Sequence, residues 1–213
     1  VTCTIINDDV TAHLTLVKRV VNNNGGTASA ADWTLSAAGP TPISGAGGAE
    51  SDVNAGTYTL SESGPAGYDA SAWVCVGGSQ SGSSITLALG ESATCTITND
   101  DQPAQLTLVK VVVNDNGGTA VATDWTLTAG PSGISGAGGA TGNVNAGTYA
   151  LSESGGPGGY LASTWSCVGT GGTQDGASIA LALGANVTCT IINDDVTAHL
   201  TLVKVVVSDN GGT

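Results

Sequence analysis

Apolar and polar side chains alternate in short runs, and the same runs return along the chain. In Leu14-Thr15-Leu16-Val17-Lys18, Tyr58-Thr59-Leu60-Ser61-Glu62 and Cys95-Thr96-Ile97-Thr98-Asn99, every second residue falls on one face of an extended strand. Clusters of Gly, Asn, Asp and Ser separate these runs, which is the signature of an all-β chain. Glycine interrupts every stretch that might have kept a helical period. In the first full repeat the pattern predicts strands near 14–21, 32–37, 51–54, 57–62, 72–76, 84–89 and 93–99. About seven strands in some ninety residues suit a two-sheet sandwich of the immunoglobulin type.

The runs return because the chain is a tandem repeat. Leu14–Lys18 recurs as Leu106–Lys110 and again as Leu200–Lys204, Asp32–Leu35 as Asp124–Leu127, and Asn54–Tyr58 as Asn145–Tyr149. A period this long is a whole domain. Residues 1–27 and 187–213 are one segment, differing only at Arg19/Val205, Asn22/Ser208 and Asn23/Asp209. The expected division is therefore a last strand of a preceding repeat at 1–9, sandwiches at 14–101 and 106–195, and a first strand of a following repeat at 200–213. Val10–His13, Gln102–Gln105 and Val196–His199 are read as short linkers, so the array should be stiff. The simplest origin is an interior stretch of a longer tandem array.

Strand parity gathers three polar residues. Leu14, Leu16 and Lys18 point together, as do Tyr58, Leu60 and Glu62, and Cys95, Ile97 and Asn99. The apolar members belong inside and carry Lys18, Glu62 and Asn99 with them. Lys110, Glu153 and Asn193 repeat the set. Polar groups buried together must satisfy one another.

Composition sharpens the point. Lys and Arg number only 4 against 17 Asp and Glu, for a net charge of −13. Three of those four cations, Lys18, Lys110 and Lys204, occupy one repeat position, where a solvated surface would scatter them. The acidity argues against binding of nucleic acid or anionic membranes. No apolar run is long enough to span a bilayer, so no membrane contact is expected in this segment.

Each full repeat holds two cysteines, Cys75 with Cys95 and Cys167 with Cys189, while Cys3 aligns with Cys95 and is left over. The paired, histidine-free spacing does not suit zinc, so no metal is assigned. One disulfide per domain in an oxidising, extracellular setting fits better.

The segment Tyr58-Thr59-Leu60-Ser61-Glu62, continued by Pro65-Ala66-Gly67-Tyr68, resembles the Y-x-L-x-E…P-x-G-Y box of collagen-adhesin B-type domains, the prealbumin-like domains of Gram-positive pilins and surface adhesins. Tyr149–Glu153 with Pro157–Tyr160 is its second copy. The first-strand lysine and a last-strand asparagine complete the resemblance over both repeats. It implies that the lysine amine attacks the asparagine amide and expels ammonia, with the glutamate assisting. Burial favours a neutral, nucleophilic amine and a neutral, hydrogen-bonding carboxyl, and folding holds amine and amide as an intramolecular pair. The implied sets are Lys18–Asn99 with Glu62, and Lys110–Asn193 with Glu153; Lys204 and Asn7 would find partners outside this stretch. Two plainer readings stand beside it: a buried Lys–Glu ion pair with Asn as a hydrogen-bond partner, and a lysine guarding an edge strand.

Other features have ordinary explanations. Asn-Asp-Asp closes each domain at Asn7–Asp9, Asn99–Asp101 and Asn193–Asp195; carboxylates at a junction are where Ca²⁺ would bind, although no loop spacing demands it and no cofactor is assigned. Trp33, Trp125, Trp73 and Trp165 are read as core or disulfide packing. His13 and His199 fall in the linkers, and Asn186-Val187-Thr188 is an isolated glycosylation sequon. These readings converge on a non-enzymatic extracellular structural shaft of a pilus-like filament or adhesin stalk, with further copies of the same repeat as partners. A module that binds host matrix or carbohydrate is the alternative.

Overall fold

Alternation decides which side of each strand is covered. Along the first strand Ala12, Leu14, Leu16 and Lys18 are buried, while His13, Thr15 and Val17 between them are partly open. In the computed structural model, which describes residues 1–211, such strands build two sandwiches in tandem. The first comprises β1 (Ala12–Val21), β2 (Thr34–Ala38), β3 (Ile43–Ala46), β4 (Gly48–Val53), β5 (Gly56–Ser63), β6 (Tyr68–Ala70), β7 (Val74–Val76), β8 (Ser79–Ser81), β9 (Ser84–Leu87) and β10 (Ser92–Asp101). The second comprises β11 (Ala104–Val113), β12 (Trp125–Gly130), β13 (Ser135–Ala137), β14 (Gly139–Val144), β15 (Gly147–Gly155), β16 (Tyr160–Ala162), β17 (Ser166–Asp175) and β18 (Ser178–Asp195). Gly212 and Thr213, the end of the strand expected at 200–213, lie outside the described residues.

In repeat 1 one sheet runs β4-β1-β10, with β6 and β7 both on β10; the other runs β3-β2-β5-β9-β8. The first and last strands are parallel neighbours, with Leu16 opposite Cys95 and Lys18 opposite Ile97. Repeat 2 has the same plan, but β18 is long enough to serve both sheets. Its Ile179 pairs with Tyr149 of β15, and its Ile191 with Lys110 of β11. Between the sheets of repeat 1, Leu14, Leu35, Tyr58, Ile85 and Cys95 are fully covered. Each such large apolar side chain contributes about 2 kcal/mol by leaving water. Tyr58 buries its ring without stranding its hydroxyl, which donates to the Asn54 carbonyl at 2.7 Å; Tyr149 does the same to Asn145 at 2.8 Å.

The structure departs from the strand reading in three places. Asp32 belongs to a single 3-10 turn, Ala30–Asp32, where its carboxylate accepts the Ser29 N–H at 2.7 Å, and the strand begins only at Thr34. Short β3, β6 and β8 add to the expected strands; β8 is exposed throughout, so no alternation marks it. Only Gln102 and Pro103 separate β10 from β11, because Ala12 and Ala104 are buried and pair with Val53 and Val144 where linker was expected. His13 is thus a strand residue, between Asp52 at 2.8 Å and Glu50 at 3.0 Å; these two bonds, Asp52 first, hold its imidazole above the usual 6.5.

Residues 1–11 and 196–211 form no strand and are exposed, including Asn7, Lys204 and the unpaired Cys3.

Candidate functional site

Three strands deliver the polar cluster of each repeat. β1 brings Lys18, β5 brings Glu62 from the facing sheet, and β10 brings Asn99 alongside β1. Lys18 Nζ is completely covered and donates to Glu62 Oε2. In repeat 2 the equivalent bond, Lys110 Nζ to Glu153 Oε2, measures 2.8 Å. The lysine and asparagine are buried, as parity requires, whereas the glutamates lie at the rim with side chains 14% and 17% exposed.

Asn99 stands two residues beyond Ile97, the register partner of Lys18, on the same buried face of the adjacent strand. Asn193 has the same relation to Lys110 through Ile191. The side-chain carbonyls Asn99 Oδ1 and Asn193 Oδ1 are buried without a hydrogen-bond partner, and no other buried side-chain N or O among the described residues is left so. A buried amide oxygen in that condition costs about 1–3 kcal/mol, and here the cost recurs at the same position in both repeats.

An aromatic face completes each cluster. Trp33, just after the 3-10 turn, lies 4.6 Å from Lys18 Nζ; Trp125 lies 4.9 Å from Lys110 Nζ. The indoles meet Tyr68 and Tyr160 edge-on, with centroids 5.0 and 5.3 Å apart. The ring stabilises positive charge at the amine by its quadrupole and excludes water from it. The sequence reading gave these tryptophans to core or disulfide packing and did not connect them with the lysines. The recurring Asp32-Trp33 and Asp124-Trp125 pairs were the available signal. β1 has β4 on one side and β10 on the other, so Lys18 does not guard an edge.

The closing aspartates have a structural role. Asp101 is buried and accepts the N–H groups of Asn23 at 2.8 Å, Asn24 at 2.9 Å and Gly26 at 2.6 Å. Burial works to raise this carboxyl, but the Gly26, Asn23 and Asn24 donors outweigh it and hold Asp101 below the ordinary aspartate value of 3.8. Asp195 is held down in the same way by Gly118, Asn116 and Asp115, again against desolvation. Asp115, Asp194 and Asp195 bring carboxylate oxygens within 4.8 Å of one another. Asn23 replaces Asp115 in repeat 1, so that carboxylate grouping is not part of the repeat.

Disulfides join Cys75 to Cys95 and Cys167 to Cys189. Each links residues directly opposite each other on adjacent antiparallel strands of one sheet. Cys95 and Cys189 are fully buried.

Against this geometry, comparison with known proteins is informative. A family model described as a prealbumin-like fold domain matches twice, over residues 9–97 and 101–191. No curated protein matches the chain. Among solved structures, the TIE protein of Bacillus anthracis superposes with a TM-score of 0.54 at 18% identity, over 89% of this chain and 34% of that one. This chain therefore spans about a third of that protein. The C-terminal fragment of the pilus adhesin SpaC from Lactobacillus rhamnosus GG aligns at 14% identity and a TM-score of 0.41, covering 88% of this chain and 99% of the fragment. The major pilin T3.2 of Streptococcus pyogenes aligns at 15% and 0.38, covering 87% and 98%. With both repeats matched almost end to end, the chain belongs to the prealbumin-like fold domain family and carries two copies of that domain in tandem.

Proposed function

We propose that this chain is a stretch of the structural shaft of an extracellular pilus-like fibre or adhesin stalk, each domain locked by its disulfide and by a self-formed Lys–Asn isopeptide bond. The observation that carries the proposal is the recurrent cluster. In both repeats a covered amine is hydrogen-bonded to a carboxyl, beside a buried amide carbonyl that has no partner.

The bonds are Lys18–Asn99, assisted by Glu62, and Lys110–Asn193, assisted by Glu153. A proton passes from Nζ to the glutamate Oε2, leaving a neutral amine and a neutral carboxyl. The carboxyl donates to Asn Oδ1 while the Nζ lone pair attacks Cγ, and the C=O π electrons move to oxygen. Collapse of this intermediate breaks Cγ–Nδ2, and the nitrogen leaves as ammonia with the second proton that Nζ gives up. The glutamate, still holding the first proton, passes it to the departing ammonia, which becomes ammonium, and the carboxylate is restored. Folding assists by holding lysine and asparagine on one buried face of adjacent strands, and burial excludes water.

The strand order gives the bond a mechanical purpose. β1 and β10 are parallel neighbours, so traction on the start of one and the end of the other shears their ladder. A covalent link between them takes that load and leaves β2 to β9 outside the path. Lys204, Asn7 and Cys3 would find partners in further copies of the repeat. Intact-mass measurement of the folded chain tests the reading: one ammonia is lost per repeat. A mass lowered only by the disulfide hydrogens overturns the isopeptide.

A further inference from the structure

Main-chain hydrogen bonds cross between the two repeats. Gln102 bridges them: its N–H donates to the Gly67 carbonyl at 2.9 Å, and its carbonyl accepts the Gly184 N–H at 3.2 Å. Ala146 N–H donates to the Asn24 carbonyl at 2.8 Å, and Asn24 is itself held by Asp101. Two glycines of repeat 1 lie directly under repeat 2. A Cβ on Gly25 would stand 2.5 Å from the Ala146 oxygen, and one on Gly67 would stand 2.6 Å from Leu183 Cβ.

The same receiving surface is built at the far end of repeat 2. Gly117 and Gly159 have φ of +98° and +87°, against +93° and +82° for Gly25 and Gly67. Asp195 holds Asn116 and Gly118 as Asp101 holds Asn24 and Gly26, and Val196 N–H donates to the Gly159 carbonyl at 2.9 Å. Yet a Cβ on Gly117 or Gly159 would meet no atom within 4 Å. The entering surface is likewise built on repeat 1, where Gly90 N–H donates to the Val10 carbonyl at 3.1 Å. Leu89, the counterpart of the half-buried Leu183, is 59% exposed there.

We propose that the Gly117–Gly159 face of repeat 2 is a docking surface for another copy of this repeat. That copy would enter with the alanine and leucine that correspond to Ala55 and Leu89. The occupant is identified by the Gly25–Gly67 contact, which seats such a copy on an equivalent surface. It is identified too by residues 196–204, which repeat residues 10–18 letter for letter. The inference rests on reading the chain as part of a tandem array, and it adds a defined joint with one orientation.

Matched alanine substitutions test it. Gly67→Ala and Gly159→Ala impose the same strain at positive φ, but only the first meets a neighbouring repeat. In the 213-residue chain, Gly67→Ala should separate the alignment tensors of the two repeats, measured by residual dipolar couplings, while Gly159→Ala leaves them as in the parent. In a chain lengthened by a further copy of residues 102–195 joined after Asp195, Gly159→Ala should acquire the effect of Gly67→Ala at the new joint. A third repeat that tumbles independently, or a joint indifferent to Gly159→Ala, overturns the proposal. Ammonia loss is a separate measurement, so failure of the joint and failure of the isopeptide reading are told apart.

Discussion

The Asp101 carboxylate accepts the Gly26 N–H at 2.6 Å across 75 positions of sequence, tying the end of the last strand of repeat 1 to the loop that follows its first. The Asn23 and Asn24 N–H groups join the same carboxylate, so one side chain fixes three backbone donors.

Acid should release this loop. With the folded carboxyl held below the unfolded value of 3.8, its contribution is present above 3.8 and is lost as pH falls through the lower folded value. Thermal unfolding followed as a function of pH should therefore show stability falling below about pH 3.8. Asp101→Asn should lower repeat 1 stability by about 2 kcal/mol at neutral pH and flatten that repeat's acid response. An unchanged response in the variant counts against the assignment.

Glu153→Gln keeps the shape of the side chain but removes the proton relay of repeat 2. The chain should then lose one ammonia instead of two, with the surviving link mapped to Lys18 and Asn99 by peptide sequencing. Loss of both would show that the glutamate is dispensable.

Reduction of the disulfides should lower stability by roughly 3 kcal/mol per repeat in the chain-entropy view, the closed loops spanning 20 and 22 positions. Since Cys75 lies on the short β7, its amides should lose hydrogen-exchange protection first. Uniform loss across the domain would contradict this order.

Trp33→Leu should weaken repeat 1 by about 2–4 kcal/mol through lost packing around a covered amine and slow ammonia loss there. Mass taken at intervals during refolding measures the second effect, with repeat 2 as the internal reference.

Much of this cluster could be read from Leu14-Thr15-Leu16-Val17-Lys18 and its partners, because a period of two fixes which residues share a face whatever the tertiary fold. Parity does not fix the depth of a side chain near a strand end, and Glu62 accordingly sits at the rim. Trp33 was harder to place, since its contact with Lys18 joins the end of a 3-10 turn to a distant strand and depends on how the two sheets face each other. Asp101 could be read only as one carboxylate of the run Asn99–Asp101 that closes the domain. Its partners in the fold are backbone donors, which sequence does not distinguish. The alternation that marks β1 also misled at Ala12, a small residue easily taken for linker.

Gln102 joins the repeats with its N–H and its carbonyl, and Val10 and Val196 each use one of the same main-chain groups. These main-chain bonds do not require a particular side chain at that position. A duplication or deletion of one whole unit in the gene carries a working seam with it. In the tandem array proposed above, length would thus be open to change by recombination in single steps, without a new fit having to evolve.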